Sequence, residues 1–150
     1  VDAYLGKETI YTGTQKTNTT DLHIALLIDQ SGSMGAGFNE STRIGIAQQV
    51  AILFKEATKQ VRGVHFYCYG FTSGQSDTYS TSIYVYEEPG VNLPHALGSM
   101  DSLCSNKDGE AIRDVATRIR AFTQEPVLFL IISDGQPSGD DYNGQAAIEH

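Results

Sequence analysis

At 150 residues, with 40% hydrophobic and 19% charged content, the chain suits one globular domain. A domain of that size buries roughly 70% of its unfolded surface, which excludes wholesale disorder and any need for disulfide staples. The formal charge of −8, from 10 Lys and Arg against 18 Asp and Glu, argues against a nucleic-acid backbone as partner and favours metal cations. Acid is concentrated late, with nine acidic and four basic residues in 101–150.

Residues 1–21 read as an N-terminal extension, with Thr9–Thr12 as a possible edge strand and Thr17–Thr20 as a polar turn. His23–Ile28 is almost continuously apolar, the signature of a parallel strand buried on both faces. It ends in Asp29 and runs into the loop Gln30–Gly37. Residues 43–62 carry an apolar face of Ile44, Ala47, Ala51, Phe54, Ala57 and Val61 and predict a helix stopped by Gly63. Val64–Tyr69 is a second strand, residues 70–81 a turn, and Ser82–Tyr86 a third strand. Residues 87–107 read as loop with one short helix. A second helix is expected over 109–122, buried through Ala111, Ile112, Val115, Ala116, Ile119 and Phe122, with Asp108 capping its first turn. Val127–Ile132 is the fourth strand and the longest apolar run, far short of the ~20 residues of a membrane span. Gly144–His150 begins another helix.

Strands alternating with amphipathic helices predict an α/β fold: a doubly wound, mainly parallel sheet with helices on both faces. Ligands bind such sheets beyond the carboxyl ends of the strands, at the switch in strand order. Asp29 and Asp134 occupy that position on two strands. Asp29, Ser31 and Ser33 put one carboxylate and two hydroxyls on one tight loop, and Asp134 adds a second carboxylate from across the crevice. Oxygen donors without sulfur or imidazole suit a hard ion, Mg²⁺ or Mn²⁺. Cys68 and Cys104 match no zinc spacing, Cys68 reads as a buried free thiol in a reducing compartment, and the four histidines are dispersed. Tyr67, Tyr69, Tyr84 and Tyr86 read as strand packing.

Ile28-Asp29-Gln30-Ser31-Gly32-Ser33-Met34 resembles the metal-ion-dependent adhesion site motif of von Willebrand factor A (vWA) domains, and Ile132-Ser133-Asp134-Gly135 resembles their second acidic loop. Gly70-Phe71-Thr72, the segment Asn106–Ile112, and Gly135-Gln136-Pro137 with Asp140-Asp141 are similar to the C-terminal vWA domain of the large aerobic cobaltochelatase subunit. The likeness runs from about residue 22 to the chain end, and family domains continue with further strands and a helix, so the domain reads as C-terminally truncated. The resemblance implies Asp29, Ser31, Ser33 and Asp134 as ion ligands. Its middle-loop threonine falls at Asn106, a departure from the pattern, and Asp108 is the stronger donor two residues on; either binds, or Asp108 only caps the helix.

The function implied is a cytoplasmic, non-enzymatic binding module whose ion offers an open coordination position to an Asp or Glu of a partner protein. A MoxR- or chelatase-type AAA+ ATPase is the implied co-worker, and neither nucleic acid nor membrane is expected. The chain has no GxxxxGK[ST] loop of its own. An extracellular adhesion domain and a Mg²⁺-dependent phosphoryl-transfer enzyme are the alternatives. No signal peptide is visible. The enzyme lacks support from an Asp-x-Asp pair in the first loop or a GxSxG elbow around Ser33.

Overall fold

A strand flanked by partners on both edges and helices on both faces has no polar surface to show, and the continuous apolar run before Asp29 takes that place. The structure, a computed structural model, describes residues 21–38, 41–74, 80–91, 93 and 96–135. The run forms β1 (Leu22–Asp29), followed by a 3-10 turn (Gly32–Gly35) and a two-residue antiparallel ladder of β2 (Gly37–Phe38) with β3 (Ser41–Thr42). Next come α1 (Arg43–Thr58), β4 (Val64–Ser73), β5 (Thr81–Glu87), a 3-10 turn (Ala96–Ser99), α2 (Asp108–Arg120) and β6 (Val127–Ile132).

The main sheet has the order β5-β4-β1-β6. β1 is parallel to β4, from Leu22 opposite Val64 to Asp29 opposite Phe71, and parallel to β6 from His23 opposite Val127 to Ile28 opposite Ile132. β5 is antiparallel to β4. Only residues 74–80 separate these two strands, too few for the crossover that a parallel pair needs. Over the described residues the fold is therefore α/β, with a mixed four-stranded sheet and two principal helices.

Alternation along β1 sorts the core into two layers. Leu26 and Ile28 pack with Cys68 against Ile44, Ala47 and Ala51 of α1. Ala25 and Leu27 point the other way, with Tyr67, Tyr69 and Phe71, against Ala111, Val115 and Ile119 of α2. The tyrosines pack as expected: Tyr67, Tyr69 and Tyr86 are buried, and Tyr84 lies against the α1 layer. Cys68 is a buried free thiol, pushed up to about 12 by burial, then by the nearby Glu87 charge; Cys104 is free and exposed.

Several boundaries differ from expectation: β4 runs on to Ser73 through residues read as a turn, because Gly70–Ser73 pair with β5, and α2 ends at Arg120 rather than 122. α1 ends at Thr58 rather than residue 62, where the Thr58 hydroxyl turns back onto the Phe54 carbonyl at 2.8 Å; Val61 lies beyond the helix, and it and Ala57, in the last turn, are exposed instead of packed. Gly63 does adopt a left-handed φ of 76°, but it ends a non-helical turn. The N-cap of α2 is Lys107, and Asp108 is already helical, so the expected capping role falls away. Ala116 faces solvent because the stripe that meets the sheet is the narrower Ala111–Val115–Ile119 row, and Phe122, past the helix end, is half exposed with its ring 6.2 Å from that of Tyr67. The expected strand at 9–12, turn at 17–20 and helix from 144, together with Asp140 and Asp141, lie outside the described residues.

Candidate functional site

Asp29 closes the central strand with no exposed surface. A carboxylate so placed must be compensated by donors, and three arrive from three parts of the chain. The Ser31 amide donates to its Oδ1 at 2.7 Å, Asn106 Nδ2 to its Oδ2 at 2.8 Å, and the Ser133 hydroxyl to the same Oδ2 at 2.9 Å. The first loop, the strap before α2 and the end of β6 thus meet on one side chain.

The strap is stitched on through backbone. The Leu103 amide donates to the Gln30 carbonyl and the Gly32 amide to the Cys104 carbonyl, both at 2.6 Å. Ser73 and Ser105 exchange amide–carbonyl bonds, and the Thr72 hydroxyl donates to the Ser105 carbonyl at 3.0 Å. Gln30 is the inner rivet. It is 1% exposed, donates through Nε2 to the Asp101 carbonyl at 2.8 Å, and accepts the Tyr86 hydroxyl at 3.1 Å. This requires Gly70, because a Cβ there would stand 2.0 Å from Gln30 Oε1 and 2.8 Å from the Tyr86 ring.

The Ser31 and Ser33 hydroxyls lie 3.0 Å apart on the rim of this pit. Asp134 follows β6 with its side chain only 5% exposed, and Arg43 Nη1 reaches it at 2.8 Å while also donating to the Ser33 carbonyl at 3.1 Å. Asp108 turns inward from the first turn of α2. Its Oδ1 is buried and, among the described residues, has no hydrogen-bond partner. Burial pushes its carboxyl above the ordinary range, and the charges of Asp29 and Asp134 push it the same way. Three carboxylates on three segments thus share one field.

All six residues singled out from the sequence stand at this end of the sheet. Asp29, Ser31, Ser33 and Asn106 are joined directly or through one another, Asp134 through Arg43, and Asp108 through its charge. Sequence reasoning missed Arg43, Gln30 and Ser133. Ser133 had a signal, since it directly precedes Asp134 at a strand end; Arg43 had none, because its partner is 91 residues away. Among the described residues no three His, Cys, Asp or Glu side chains form a cluster able to hold a metal by themselves, so a cation here would draw on hydroxyl and water oxygens as well. Likewise, no helix among them is long and apolar enough to cross a membrane.

The raised Asp108 carboxyl has a consequence for stability. Its charged form is disfavoured in the folded state, so metal-free stability should rise as pH falls from neutral through its elevated pKa, levelling off near the unfolded value of about 3.9. Asp108→Asn should accordingly stabilise the protein in EDTA at pH 7 by about 0.5–1 kcal/mol, with the gain fading near pH 4. Thermal unfolding across pH checks both signs.

Comparison of the chain with protein-family models, with curated proteins and with solved structures finds no match in any of the three.

Proposed function

We propose that this chain is a vWA-type binding module that holds Mg²⁺ or Mn²⁺ at the carboxyl end of its sheet and offers the ion's open coordination position to an acidic side chain of a partner protein. The carrying observation is the buried Asp29 carboxylate, gathered with Ser31, Ser33, Asp108 and Asp134 at one end of the sheet. Numbered by chain order, the four strands of the main sheet run 3-2-1-4, the first part of the doubly wound order, with helices on opposite faces. In that order Asp29 ends the strand at which the connections part to left and right, where such sheets bind ligands.

The donor set fits a hard cation. Asp29, Ser31, Ser33 and Asp134 supply carboxylate and hydroxyl oxygens. Asn106 donates through Nδ2 to Asp29, which anchors it beside that carboxylate, and Asp108 Oδ1, buried with no hydrogen-bond partner among the described residues, is the oxygen we propose as the middle-loop donor. The bound ion supplies positive charge and a vacant position in an otherwise acidic surface. Asn106, Ser133 and the Ser31 amide fix the Asp29 carboxylate, and Gln30 holds the loops that present the hydroxyls. A partner carboxylate would owe its attraction to the ion. The likeness to chelatase-type domains extends the reading to a AAA+ ATPase as co-worker, acting on a shared target protein.

Thermal unfolding in EDTA, Mg²⁺ and Mn²⁺ tests the reading. Ion at 100 times its Kd should stabilise by about 2.7 kcal/mol, a midpoint rise of several degrees. Ser33→Ala and Asp134→Asn should lose most of that response. An equal midpoint with and without millimolar ion would remove the metal from the function.

A further inference from the structure

We propose that Arg43 is a built-in cation that competes with the divalent ion for Asp134, so that loading the site and releasing Arg43 are one event. The inference rests on the metal-binding reading above and concerns how that site is controlled.

The geometry is that of a bridge. A single nitrogen, Nη1, donates to the Ser33 carbonyl at 3.1 Å and to Asp134 Oδ2 at 2.8 Å. It therefore ties the first loop to the end of β6, the same two segments a bound ion would draw together. The Arg43 side chain is 52% exposed and that of Asp134 only 5%, so the guanidinium is the outer layer and the carboxylate the inner one. A cation arriving from solvent meets Arg43 before Asp134. The pair also borders an open cleft of about 410 Å³ whose other walls include Met34, Ile46, Ala47 and Ile132, so an ion can approach the contact from that side.

Arg43 stands where the helix itself would not ask for it. It is the first residue of α1, whose first turn has no acidic residue, and a positive charge there opposes the helix dipole. Thr42 already caps the helix by accepting the Gly45 amide at 3.1 Å. The contact with Asp134 is what the position gains. Arginine stays protonated at every accessible pH, so Arg43 cannot leave Asp134 by losing its own charge and must be displaced. A divalent ion brings twice the charge and does so at the cost of the Arg43 contact, while repelling the guanidinium.

Isothermal titration with Mg²⁺ and Mn²⁺ on the full chain tests this with wild type, Arg43→Gln, Arg43→Lys and Asp29→Asn. Arg43→Gln should bind roughly threefold to tenfold more tightly, the range of a half-exposed ion pair set against a divalent charge. Arg43→Lys keeps the charge and should stay within about twofold of wild type. In the unmodified chain, Mg²⁺ should speed hydrogen exchange at the Arg43 guanidinium as seen by NMR, a readout that needs no variant. Equal or weaker binding by Arg43→Gln, or guanidinium exchange unmoved at saturating Mg²⁺, overturns the role of Arg43 while leaving the metal site standing. No binding by any chain, or binding untouched by Asp29→Asn, overturns both.

Discussion

Asp29→Ala should lower the stability of the metal-free protein by about 3–5 kcal/mol, a sizeable part of the 5–15 kcal/mol that holds an ordinary domain together. The carboxylate is fully buried and accepts from Ser31 N, Asn106 Nδ2 and the Ser133 hydroxyl. Alanine would strand all three. Asn106 has no exposed surface and Ser31 is 2% exposed, so water cannot easily replace the lost acceptor at those two. Each orphaned buried donor costs about 1–3 kcal/mol, with the half-buried Ser133 at the low end. The sign is informative. Were Asp29 present only to hold an ion, its removal would relieve repulsion from Asp108 and Asp134, and the protein in EDTA would become more stable. Urea unfolding in EDTA separates the cases: a large fall in midpoint with unchanged m-value supports the structural role, and a rise refutes it. The expectation for Asp108→Asn has the opposite sign, because the Asp108 Oδ1 has no hydrogen-bond partner among the described residues while burial and its acidic neighbours penalise its charge. Two aspartates of one site would thus respond oppositely to losing their charge.

The strands were legible from unbroken apolar runs, although burial on both faces explains only β1; in β6, Leu128 and Ile131 are 50% and 45% exposed. The runs ending at Asp29 and at Ile132 are apolar without alternation, and they became β1 and β6, neighbours in the sheet. Their ends fixed the positions of Asp29 and Asp134, so the site's place in the fold followed from the same signal. Helix ends were less legible. Nothing in the spacing of Ala57 and Val61 says that the helix stops between them, since apolar periodicity continues past the point where the sheet ceases to offer a surface. The connections inside the site were not legible at all. Arg43 meeting Asp134, Ser133 meeting Asp29 and Gln30 meeting Asp101 are contacts across 91, 104 and 71 residues. Such pairings have no period, and only the docking of the strap and β6 beside β1 creates them.

The second large effect belongs to the other end of α2. Arg118 holds Glu88 through two nitrogens, Nε to Oε2 and Nη2 to Oε1, both at 2.6 Å, and the Tyr69 hydroxyl adds a bond to Oε2 at 3.2 Å. Glu88 is 7% exposed, so Arg118→Ala would leave a buried carboxylate with one neutral donor, at a cost of about 3 kcal/mol at pH 7. The hydrogen bonds from Arg118 hold the Glu88 carboxyl below the usual carboxylate range. Its contribution is therefore present above the unfolded pKa, about 4.3, and is lost as pH falls through the lower folded value. The gap between wild type and Arg118→Ala should be full at neutral pH and close progressively in acid as Glu88 protonates, first in the variant, where burial goes uncompensated, and then in wild type. A gap that persists into acid would assign the loss to Arg118 packing instead. The clamp also bears on the site. Arg118 lies ten residues after Asp108 on one rigid helix, roughly 15 Å along its axis. Loosening α2 at Glu88 frees the element that presents Asp108 to Asp29. Arg118→Ala should therefore weaken the Mg²⁺-induced rise in melting midpoint as well as the midpoint itself, although neither Arg118 nor Glu88 is among the proposed ligands. A stability loss with the ion response intact would show that α2 is held at the site by its own first turn, independently of the ion pair at its far end.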